Sequence, residues 1–108
     1  MKIENIELYY LSMPQILDEA DGSQDALIVK VEAGGLVGWG ECEASPLTSI
    51  ANFICPKSHS AANPIRDSVI NQNINDLNDV KKIIQTVKHK SLMIAQTPHT
   101  FSGIEVAL

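Results

Sequence analysis

The chain has 108 residues, 44% hydrophobic and 19% charged, with eight Lys and Arg against thirteen Asp and Glu for a net charge of −5. That length fits one small domain around a single core, and the composition excludes a collagen-like repeat or a disordered charged tail. The acidic balance, with no local basic stripe, has the wrong sign for phosphate backbones, so no nucleic-acid partner is expected.

No apolar run approaches the ~18 residues of a membrane span, so no membrane association is expected. The N-terminal residues show no signal-peptide pattern. Cys42 and Cys55 make neither a disulfide framework nor a CxxC pair. A cytoplasmic chain with reduced thiols is the expectation.

Residues 2–11 combine Ile3, Ile6, Leu8, Tyr9 and Tyr10 and predict a strand. Residues 13–24, with Pro14, Gly22 and the acids Asp18, Glu19 and Asp21, read as a long loop. Residues 25–32 set Leu27, Val29 and Val31 against Ala26, Ile28 and Lys30, the alternation of a half-buried strand. Gly34-Gly35 supplies the positive-φ residues of a tight hairpin, and Leu36–Cys42 returns as the next strand of an antiparallel three-stranded sheet.

Residues 44–60 hold Pro46, Pro56 and scattered Ser and Thr. They read as a second long connection with at most a turn of helix. Asn63-Pro64 looks like an N-cap with Pro at the first helical position, ahead of Ile65, Val69 and Ile70. Asp76 caps the next helix, whose apolar stripe is Val80, Ile83, Ile84 and Val87, with Lys88, His89 and Lys90 suited to the dipole at its end. Ser102 and Glu105 have capping-box spacing and predict a last helix from Ser102, which reads as cut short at Leu108. The fold class is α+β, a three-stranded antiparallel sheet followed by a small helical bundle.

Few residues here point to chemistry. Gly34, Gly35, Gly38 and Gly40 lie in a hairpin and its return strand rather than ahead of a helix, so they lack the converging N–H groups of a phosphate loop. His59, His89 and His99 have no metal-ligand spacing. Cys42 and His59 would make a nucleophile–base pair only if the fold joined them, and a strand-end Cys is usually a small apolar filler. Glu41 and Glu43 share a strand face, a candidate cation or acid–base pair whose plainer reading is a solvated strand end. No catalytic constellation is complete. What stands out is two long connections leaving strand ends, an arrangement suited to a lid or a specificity surface.

The run DGSQDALIVKVEAGGLVGWGECEASPL over residues 21–47 resembles the N-terminal capping domain of the mandelate racemase/muconate-lactonizing family of the enolase superfamily. The opening Met1-Lys2-Ile3, the Gly38-Trp39-Gly40-Glu41 strand, Ser58-His59-Ser60 and the closing SGIEVAL follow in the family's order. The resemblance implies an enolase-like capping domain over residues 1–101, with 102–108 opening the connection to a (β/α) barrel that the chain lacks.

It further implies an enzyme that abstracts the proton α to a carboxylate, such as a racemase, cycloisomerase or, the branch it leans towards, an acid-sugar dehydratase. That chemistry needs a magnesium ion to neutralise the developing ene-diolate. Bases and metal ligands belong to the barrel, so no catalytic residue and no metal ligand is assigned in this chain, which is expected to be inactive alone.

The family's two substrate-reading loops fall on the two long connections. The residues expected to approach the distal part of a carboxylate substrate are Ile16, Leu17, Gln24, Glu43, Ala44, Ser45 and Pro46, although Ile16 and Leu17 would equally serve to pack the loop down. Expected partners are the barrel domain and a further copy of the chain, through apolar surface the cap would normally bury. The alternative is a stand-alone interaction or oligomerisation module that reuses the fold.

Overall fold

The computed structural model describes residues 1–18, 24–42, 45–60, 62–91 and 99–108. β1 (Ile3–Leu11), β2 (Ala26–Ala33) and β3 (Leu36–Cys42) form one antiparallel sheet in the order β1-β2-β3. Gly34 and Gly35 turn the hairpin at φ 55° and 80°, which only residues tolerant of the left-handed region adopt without strain. In register, Tyr10, Leu27 and Cys42 lie side by side, as do Leu8, Val29 and Gly40, then Ile6, Val31 and Gly38. This is the inner face of the sheet. Tyr9, Ile28 and Glu41, with Glu7, Lys30 and Trp39, make the outer face.

The inner face is covered by helices. Leu27, Val29, Val31, Ala33 and Cys42 join Ile3, Phe53, Ile65, Val69, Ile83, Val87, Phe101, Ile104 and Ala107 in one core. The helices are α1 (Pro46–Ile54), α2 (Ile65–Val69), α3 (Leu77–Lys90) and α4 (His99–Ala107). The α+β class is as expected, but three helices depart from expectation.

Residues 46–54 form a two-turn helix rather than part of an open loop, because Pro46 at the first helical position needs no N–H partner and Phe53 is buried in the core. Asn63 does not cap α2. Pro64 holds that position, while the Asn63 side-chain amide donates to the Ser60 and Lys90 carbonyls at 2.9 Å each and ties the start of α2 to the end of α3. α2 also ends before Ile70, and Asn71 then turns the chain at φ 65° so that its N–H reaches the Ile3 carbonyl. α4 begins at His99, so Ser102 lies inside it. Phe101 is buried, and helical backbone is what carries it to the core. Asp76 does cap α3, accepting from the Asp79 N–H at 3.0 Å.

α4 lies along β3, and glycine makes that approach feasible. A methyl group at Gly38 would be driven into the Ala107 carbonyl, and one at Gly40 into the Gly103 carbonyl. A methyl at Gly103 would stand 2.6 Å from the Cys42 sulfur. Gly38 and Gly40 therefore serve the strand–helix contact and not the hairpin itself. The alternating Gly-Trp-Gly-Glu sequence puts no side chain under the helix and sends Trp39 to the outer face. There its ring lies 6.2 Å from that of Tyr9 and 6.0 Å from the Lys30 ammonium, which pairs with Glu32 at 2.7 Å.

Candidate functional site

A half-open hollow of about 320 Å³ sits where β3 ends, the 13–24 connection returns to β2, and α1 begins. Its lining is Ile16, Gln24, Asp25, Glu41, Cys42, Ser45 and Pro46. Two walls meet there. One is the connection after β1, which carries Ile16 and comes back through Gln24 to Asp25. The other is the end of β3 with the first residues of α1, backed by α4 through Gly103 and Cys42.

The first wall is held by polar contacts. The Asp25 carboxylate accepts from the Tyr10 hydroxyl at 2.6 Å on one oxygen and from the Met13 N–H at 2.8 Å on the other. The Tyr10 and Met13 hydrogen bonds hold the Asp25 carboxyl below its ordinary range, and the same contact raises the Tyr10 phenol. Ile16 and Leu17 do not pack the loop down: they are 55% and 43% exposed, as is Met13 at 43%.

The second wall is held by burial. On α1 the covered positions are Pro46, Ser49, Asn52 and Phe53, and the Ser49 hydroxyl has no hydrogen-bond partner among the described residues. Ser45 is the α1 N-cap, yet its side chain makes no capping bond. Burial raises the Cys42 thiol, whose sulfur lies close against Gly103. His59 is exposed, with its Nδ1 2.9 Å from the Ser58 hydroxyl.

Of the seven residues expected to read a substrate, Ile16, Gln24, Ser45 and Pro46 come together in this hollow, while Leu17 is outside its lining. Glu43 and Ala44 lie outside the described residues, and with them the Glu41–Glu43 pair. Sequence reasoning missed Asp25, Glu41 and Cys42 as lining residues. Asp25 looks like one more acid of the loop, and only the pairing of β1 with β2 places it beside Tyr10.

Among the described residues no three His, Cys, Asp or Glu side chains gather as a metal site. Of the two carboxylates in the hollow, Asp25 is engaged by the Tyr10 hydroxyl and the Met13 N–H. No helix of the described residues is long and apolar enough to cross a membrane.

No protein-family model matches the sequence, and no curated protein matches it. Among solved structures it is similar to the crystal structure of a predicted mandelate racemase from Rhodobacter sphaeroides, with 54% identity and a TM-score of 0.91 over 98% of this chain. The chain spans 27% of the length of that protein. Sheet, helices and sequence together match an N-terminal capping domain of the mandelate racemase type within the enolase superfamily.

Proposed function

We propose that the chain is the substrate-specificity cap of an enzyme that removes the proton α to a carboxylate, and that the hollow faces the distal part of the substrate. The observation that carries this reading is the convergence of Ile16, Gln24, Ser45 and Pro46 from two separate connections on one hollow, in a chain 54% identical to a predicted mandelate racemase. Leu17, Glu43 and Ala44 flank the same connections and belong to the same proposed surface. The cap's own work is physical. It excludes water from the reaction, which strengthens the electrostatic stabilisation of the enolate beneath it, and it admits distal groups by shape and polarity.

The proton-abstracting base and the magnesium ligands are assigned to a barrel domain, the cap's proposed partner. The substrate is a small carboxylate, with acid sugars favoured. A further copy of the chain is a second proposed partner, and the cytoplasm the proposed location. The test is a chimera in which this chain replaces the matching 27% of the Rhodobacter protein. Deuterium exchange at the α-carbon of hydroxy acids and acid sugars is followed by NMR. The isolated chain should exchange none, the chimera should exchange some, and Ile16→Ala in the chimera should reorder its substrates. Exchange by the chain alone, or a substrate order indifferent to Ile16 and Pro46, would overturn the reading.

A further inference from the structure

We infer that Asp25 is a latch that fixes where the first wall of the hollow stands, and so acts as a positioning residue for what the hollow receives. The latch follows from geometry alone, whereas its effect on recognition rests on the capping role proposed above.

The β1–β2 ladder ends at the Leu11–Ala26 pair, so beyond that point no strand pairing holds the departing chain against the returning one. Asp25 stands at this fork, one residue before β2. Among the described residues its two oxygens take donors from the departing side only, the Tyr10 hydroxyl at 2.6 Å and the Met13 N–H at 2.8 Å. One carboxylate thus joins the last inner-face residue of β1, the first turn of the connection and the return into β2. Apolar packing gives little help here, because Met13, Ile16 and Leu17 are all exposed. Charge-assisted bonds are the stronger class of hydrogen bond, and two on one carboxylate fix both separation and direction. Ile16 lies three residues past the latched Met13 and lines the same hollow as Asp25. Where Met13 is held, Ile16 is presented.

Residue-resolved amide hydrogen exchange on the chain tests the latch. Asp25→Ala should speed exchange at Met13 by about tenfold or more, the scale of a lost hydrogen bond to a charged group. Amides of Val29 and Val31 should keep their rates. Tyr10→Phe should give a smaller increase at Met13, since the Met13 bond survives, and adding it to Asp25→Ala should change nothing further. Asp25→Asn, which retains an uncharged acceptor, should fall between wild type and Asp25→Ala.

Unchanged Met13 exchange in Asp25→Ala overturns the latch, as does an increase shared equally along β1 and β2, which would mark a merely structural residue. In the chimera, Asp25→Ala should raise KM for substrates with bulky distal groups while kcat stays near its starting value. A KM that stays fixed while Met13 exchange rises overturns the positioning role. A chimera without activity counts against the capping role, and the exchange result stands apart from it.

Discussion

The two walls of the hollow are built on opposite principles. The wall after β1 exposes its apolar side chains and is fastened by a carboxylate, while the wall formed by β3, α1 and α4 buries Phe53, Cys42 and Ile104 and brings backbone against backbone. A long connection without an obvious apolar stripe thus has two fates. It stays irregular when its ends are pinned, as over residues 13–18, or it coils when one large side chain finds the core, as Phe53 does. Burial gives the second wall most of its free energy, whereas the first wall's bonds are exchanged with water at small net gain.

The contrast can be tested at four places. Phe53→Ala should have the largest effect, a loss of about 3–5 kcal/mol of stability measured by urea unfolding, because it empties a core site. A loss below about 1 kcal/mol would mean that α1 is not anchored by its aromatic ring. Gly40→Ala should cost about 1–3 kcal/mol through overpacking against the Gly103 carbonyl. The same assay would show no change if α4 can lift off β3 freely.

Acid should separate the walls without mutation. The folded-state values of Asp25 and Glu32 lie below the ordinary range, held by Tyr10 and Met13 in one case and by Lys30 and Asn5 in the other. Their contribution is complete above the ordinary carboxylate range and is lost as pH falls through the lowered folded values. NMR resonances of Tyr10 and Met13 should move in that window while those of Phe53 and Ile104 hold, and simultaneous movement of both sets would erase the contrast. Smallest of all, Ile16→Ala should leave stability within about 0.5 kcal/mol in thermal unfolding, as expected of an exposed side chain.

Much of the sheet was legible. Gly34-Gly35 between two alternating runs fixes the hairpin, and the Leu27, Val29 and Val31 face is the buried one. Asp76 and the stripe ending at Val87 were equally clear, since cap and periodicity agree. α1 was hidden because half of its buried positions are polar: Ser49 and Asn52 stand between Pro46 and Phe53 and break the apolar spacing on which a helix reading depends.

The start of α4 was obscured by a false cap, since Ser102 and Glu105 have the right spacing but lie within a helix already begun. The hollow was legible only through the family pattern. Ile16, Gln24, Ser45 and Pro46 carry no chemical signature that would draw them together, and Asp25 gains its meaning from a β1–β2 register that no tight turn dictates.

The seam of Gly38 and Gly40 beneath Ala107 and Gly103 has a consequence for how such a cap can diversify. Where two main chains touch, there is no rotamer to swap and no methylene to trim, so the tilt of α4 on β3 stays put while neighbouring side chains vary. Residues on the irregular wall can drift toward new ligands without disturbing that tilt. Novelty is thereby steered to the margin that tolerates it, and the hinge-free joint keeps every variant in the same frame.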